Sequence, residues 1–121
     1  MKQKRITATV FGGQDDEQPS AYSDVRSDWA NRPGVALPAR FLGMRPLVRV
    51  SRGRRFVVCP IVDVGPWNTR DRYWLTGKRP QAESGVDLTG RHTNKAGIDL
   101  TVAAARAIGL EEKGLVDWDF A

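Results

Sequence analysis

The chain has 121 residues, a hydrophobic share of 40% and a formal charge of +5. That suffices for one packed core but not two, and no apolar run approaches the roughly 20 residues that a membrane-spanning helix needs. A lone cysteine, Cys59, rules out an internal disulfide, and with a single histidine, His92, it cannot build a zinc site, so neither metal nor cofactor is expected.

The basic start Met1-Lys2-Gln3-Lys4-Arg5 resembles the head of a secretory signal, but residues 6–13 are too short and too rich in Thr for its apolar region of about 7–15 residues. They read instead as a first strand ending at Gly12-Gly13. With no signal peptide visible, the expectation is synthesis in the cytoplasm, followed by release to the cell wall or incorporation in a virion. Residues 14–20 are polar and acidic and read as a loop. In residues 22–34, Trp29 is a candidate for packing and Arg32-Pro33-Gly34 forms a turn. Residues 35–43 suggest a strand broken by Pro38, which a sheet edge or bulge tolerates.

The clearest local signal follows. Leu47-Val48-Arg49-Val50-Ser51 alternates, Arg52-Gly53-Arg54 turns, and Arg55-Phe56-Val57-Val58-Cys59 returns, which predicts a β-hairpin. The return strand runs on toward Val62 and delivers Asp63 near its end, where Gly65-Pro66 stops it. Cys59, inside this apolar run, reads as a small buried hydrophobe. From about 67 to 96 periodicity disappears and a long loop insert is expected, carrying Trp67, Tyr73 and Trp74 among polar residues.

Gly97-Ile98-Asp99-Leu100 is a short extended piece. Thr101 is a good N-cap for a short helix (about 101–108) whose apolar face is Val102, Ala105 and Ile108, and Gly109 is a good stop. Residues 114–120 alternate as a last strand with Val116, Trp118 and Phe120 on one side. Many strands, tight turns and one short helix predict a mainly β, single-domain small barrel spanning 1–121.

Three stretches carry a family resemblance: Ala8-Thr9-Val10-Phe11-Gly12, Val62-Asp63-Val64-Gly65-Pro66, and Gly97-Ile98-Asp99-Leu100-Thr101 with Ala103-Ala104 and Ile108-Gly109. In this order they resemble the double-psi β-barrel of rare lipoprotein A and the expansins. The resemblance covers most of the chain apart from the insert and implies a small six-stranded double-psi β-barrel. It also implies a cell-wall polysaccharide partner, peptidoglycan above all, which the relatives either cleave as lytic transglycosylases or loosen without hydrolysis.

Glycosidic cleavage needs a proton delivered to the leaving oxygen. A lytic transglycosylase can use one carboxyl group, first as acid and then as base on the sugar's own hydroxyl. The resemblance assigns that role to Asp63, with Asp99 as the second family carboxylate and Thr9 as the hydroxyl beside it. The structural alternatives are a carboxylate bonding turn amides at Asp63 and a cap-like bond at Asp99. Trp67, Tyr73 and Trp74 could offer stacking faces to sugars, with Arg70 and Arg72 suited to an anionic glycan, although packing of the loop is the stronger alternative for Trp67. One departure weighs against cleavage: the transglycosylase-type members carry a His at the place held here by Leu37. Glu83 has no spacing that favours it over Asp71 or Asp87.

Three functions therefore compete. The first is a glycan-binding or glycan-processing wall module. The second is a non-catalytic structural or interaction barrel, for example a phage-particle component with other proteins as partners. The third, nucleic-acid binding, rests only on the arginines from Arg32 to Arg55, a stretch free of acidic residues from Asp28 to Asp63. It is the least supported.

Overall fold

The computed structural model describes residues 2–12 and 19–121. Residues 14–18 of the acidic loop read from the sequence fall outside them.

The chain is mainly β. Its elements are β1 (Gln3–Phe11), β2 (Val35–Leu37), β3 (Val48–Arg52), β4 (Arg55–Cys59), β5 (Ile61–Val64), α1 (Tyr73–Thr76), β6 (Ile98–Thr101), α2 (Val102–Ile108) and β7 (Lys113–Phe120), with a 3-10 turn at Gln81–Ser84. The seven strands form one sheet in the order β4-β3-β7-β1-β6-β2-β5. β4 and β5 stand at opposite ends of that order, yet only Pro60 separates them in the chain. The two ends of the sheet are thus parts of one run, 55–64, which curls the sheet into a barrel-like form. This also accounts for seven strands where six were expected. Pro60 has no N–H for the ladder and cuts a single predicted strand in two.

Local chemistry sets the elements that position the site. The hairpin β3–β4 has Arg52 opposite Arg55 across a two-residue turn, with Gly53 at φ 62°. α2 begins where the Thr101 hydroxyl accepts the Ala104 N–H at 3.2 Å and ends at Gly109, φ 72°. Its buried residues are Ala104, Ala105 and Ile108, with Val102 only half-buried, so the face is rotated slightly from the predicted one.

Alternation along the strands fills the core. Ile6 and Ala8 of β1, Val35 and Leu37 of β2, Val48 and Val50 of β3, Ile98 and Leu100 of β6, and Val116 and Trp118 of β7 pack together. Cys59 joins them, and burial pushes its thiol up to about 12.

The long loop insert carries two short helical turns, α1 and the 3-10 turn at Gln81–Ser84. α1 drives Tyr73 into the core, where its hydroxyl donates to Gly97 O at 3.0 Å and accepts from Trp118 Nε1 at 2.9 Å. Trp74 packs edge-on to Trp118 and Phe120 and stacks against Phe41. Arg79 then clamps the insert to β1. It grips Glu83 with two nitrogens and donates to the carbonyls of Lys4 and Arg5, while Glu83 accepts the Thr7 N–H at 3.1 Å. At Gly97 an added Cβ would stand 2.3 Å from Pro80 Cγ, so only glycine lets the insert lie this close to β6.

Candidate functional site: an acidic cleft across four strands

Thr9, Asp99, Ala36 and Asp63 form one row across neighbouring strands. Thr9 pairs with Asp99 between β1 and β6, Asp99 with Ala36 between β6 and β2, and Ala36 with Asp63 between β2 and β5. Side chains of paired residues project from the same face of a sheet. Asp99 and Asp63 are therefore neighbours across one small residue, their Cα atoms two strand spacings, roughly 10 Å, apart.

A bulge makes this possible. Ile61 pairs with Val35 and Asp63 with Ala36, so β5 carries one extra residue against β2. Ile61 and Val64 both meet the core, which strict alternation forbids for residues three apart. The extra residue is Val62, lodged over Gly34, where an added Cβ would stand 2.7 Å from both Val62 methyl carbons. Without the bulge, Asp63 would share the inward face with Ile61.

The cleft has a volume of about 290 Å³, lined by Phe11, Trp29, Ala36, Asp63, Val64, Gly65, Pro66, Trp67 and Asp99. Trp29 can lie against the end of β1 because residue 12 is glycine. A Cβ there would overlap the Trp29 Cβ at 2.0 Å, and φ is 85°. Phe11 tilts against Trp29 with ring centroids 5.3 Å apart. On the other wall Trp67 donates from Nε1 to Asn94 Oδ1 at 2.8 Å, and the Arg91 guanidinium lies 5.9 Å from its ring centroid.

Both carboxylates are anchored. Asp63 Oδ1 accepts the N–H groups of Ala21 and Val64, each at 2.9 Å, and Asp99 Oδ1 accepts the Thr9 hydroxyl. Asp63 thus bonds the amide of its strand neighbour Val64 and that of the distant Ala21, and keeps a place on the cleft wall.

Behind Trp67 a buried network fixes the insert. Asp87 accepts from both backbone and side chain of Thr89 and of Arg91. Burial raises the Asp87 carboxyl, but these hydrogen bonds outweigh it and hold it well below the usual carboxylate range. Arg91 also donates to Trp67 O at 3.0 Å, and Asn68 links Gln81 to the Leu88 N–H.

Of the residues singled out from sequence, the cleft gathers Asp63, Asp99 and Trp67, with Thr9 bonded to Asp99. Tyr73 is 1% exposed and Trp74 belongs to the aromatic cluster, so neither is a free platform beside Asp63. Arg70 is exposed and pairs with Ala39, and among the described residues no basic side chain is part of the cleft lining. Leu37 is wholly buried. Ala36 and Phe11 are lining residues that sequence reasoning missed. The signal available for Ala36 was its place in a short strand, whose successive side chains point to opposite faces.

Among the described residues no group of three or more His, Cys, Asp or Glu side chains could hold a metal ion, and no helix is long and apolar enough to cross a membrane.

The fold and site define a small mainly β domain with two carboxylates on a shared aromatic-walled cleft. The chain belongs to the family described as Domain of unknown function (DUF8814), whose profile matches residues 2–119. No curated protein matches the sequence.

Proposed function

We propose that the domain binds a cell-wall glycan in the cleft between Asp63 and Asp99, as the resemblance to the double-psi barrels of rare lipoprotein A and the expansins implies. The observation that carries this is the row Asp99–Ala36–Asp63, which leaves a trough over alanine with a carboxylate on each side. Carboxylate oxygens accept sugar hydroxyls, and Trp67 and Phe11 offer apolar surface to a pyranose ring. With two carboxylates and, among the described residues, no basic side chain in its lining, the cleft suits an uncharged stretch of glycan better than an anionic one.

If the bound glycan is cut, Asp63 is the acid and base of a lytic transglycosylase reaction, protonating the leaving oxygen and then taking the proton of the attacking sugar hydroxyl. Asp99, oriented by Thr9, faces the positive charge that develops at the ring. Incubation with purified peptidoglycan tests this, because the reaction releases anhydro-sugar ends detectable by mass spectrometry. Asp63→Asn is expected to lower their yield about 10²–10⁴-fold. Retention on peptidoglycan without any such product leaves a binding module, as in expansin-like loosening. Absence of retention rejects the proposal.

A second reading, an interaction barrel within an assembly such as a phage particle, is favoured by one feature. The turn before β3 exposes Leu42 at 85%, Met44 at 98% and Leu47 at 50%. Copurification of the protein with particles in fixed ratio, lost on Leu42→Asp with Met44→Asp, supports it. Particles that lack the protein dismiss it.

A further inference from the structure

The arginine-rich stretch divides in two in the folded chain. Arg32 faces Asp28 at 3.7 Å and Arg45 faces Asp24 at 2.8 Å. Arg40 and Arg45 both lie over Tyr22, while Arg49 covers Phe56 and has Asp119 as its cross-strand neighbour. These arginines are occupied by the protein itself.

The rest converge on one corner. Arg52 and Arg55 face each other at the end of the β3–β4 hairpin, and Arg54 stands exposed at its tip. Arg52 Nη1 donates to Gly109 O at 2.7 Å, and a Cβ added to Gly109 would stand 2.7 Å from Arg55 Nη1. Both guanidinium groups therefore reach the C-terminal end of α2, whose last turn carries Arg106. Arg55 and Arg106 border an open depression of about 590 Å³, floored by Val10, Val102, Ala105 and Leu110, with Glu111 at its rim. No ion pair among the described residues includes Arg52, Arg54, Arg55 or Arg106.

Clustered like charges repel, and the helix end with its Gly109 carbonyl compensates only part of this. An anion bridging the guanidinium groups would compensate the remainder. Planar guanidinium forks match phosphate oxygens in pairs. Among the described residues no aromatic side chain lines the depression to stack a base, so contact would be to a backbone rather than to bases. The corner is at the opposite end of α2 from Thr101 and the cleft.

We propose that this corner is a second binding site, which takes the phosphodiester backbone of an anionic polymer independently of sequence. Nucleic acid and a glycerol-phosphate wall polymer share that chemistry, and separate probes distinguish them.

The test is fluorescence anisotropy of the full chain with a labelled oligothymidylate and with labelled poly(glycerol phosphate), from about 50 to 200 mM salt. The triple reversal Arg54→Glu, Arg55→Glu, Arg106→Glu is compared with a charge-matched control, Arg26→Glu, Lys78→Glu, Lys95→Glu, made at exposed positions elsewhere. Circular dichroism verifies folding, and the corresponding Arg→Gln triple replaces the reversal if it unfolds. The corner variant is expected to bind at least about tenfold more weakly, with a salt slope reduced by about 2, while the control keeps the wild-type slope. The probe that binds identifies the source of the phosphate. Equal losses in both variants, or no binding of either probe by the wild type, overturn the proposal.

Discussion

Asp63 and Asp99 stand on either side of Ala36, each paired with it in register on adjoining strands. They are brought together by two separate devices. β6 and β2 pair directly, whereas Asp63 reaches the same face only because Val62 is an extra residue in β5. Acids distant in the chain thus share one trough whose floor is the smallest side chain that still has a Cβ. The trough makes several outcomes measurable.

Replacing Ala36 by leucine fills the floor between the carboxylates. Glycan binding is expected to weaken at least about tenfold, equivalent to about 1.4 kcal/mol, as read by retention on insoluble peptidoglycan. Unchanged retention in a folded Ala36→Leu variant would place the glycan elsewhere.

Tyr73→Phe separates packing from binding. It leaves the Gly97 carbonyl and the Trp118 indole N–H without their buried partner, which costs about 1–3 kcal/mol. A thermal midpoint lower by several degrees is expected, with glycan retention preserved. Loss of retention at unchanged stability would return Tyr73 to the binding surface.

The Cys59 thiol is buried and pushed up to about 12, so a thiol-alkylating reagent at neutral pH should not label the native protein. Labelling is expected to become complete in denaturant. Rapid native labelling, followed by intact-mass spectrometry, would show that the β4–β5 junction opens readily.

Asp87 gives a pH dependence of defined sign. Its carboxyl is held below its unfolded value of about 3.9, so the unfolded chain binds the extra proton as pH falls. Its contribution is fully present above about pH 4 and is lost progressively as pH drops toward the folded value. Acid unfolding monitored by tryptophan fluorescence should show a weaker pH dependence in Asp87→Asn, which also lacks one Arg91 contact. An identical acid limb in wild type and variant would show that Asp87 is not linked to folding.

What could be read from the sequence was largely local. The β3–β4 hairpin, the Thr101 cap and the Gly109 stop depend on residues within a few positions of one another, and all are present. The alternation of Val116 and Trp118 identified the inward face of β7. The misplaced residues are those whose environment is decided at long range. Tyr73 and Trp74 sit in a four-residue helix too short to show periodicity, and their burial comes from Trp118 and Phe120, some 45 positions away. Ala36 carries no chemistry of its own and matters only through its strand partners. Arg55 and Arg106 meet only because α2 packs on β4.

The most direct test of the shared cleft is an NMR titration of the labelled domain with soluble peptidoglycan glycan oligomers. The amide signals of Thr9, Ala36, Asp63 and Asp99 and the indole signal of Trp67 are expected to move together, and Ala36→Leu to abolish the shifts. Shifts confined to other faces of the barrel, or none at millimolar oligomer, would contradict it.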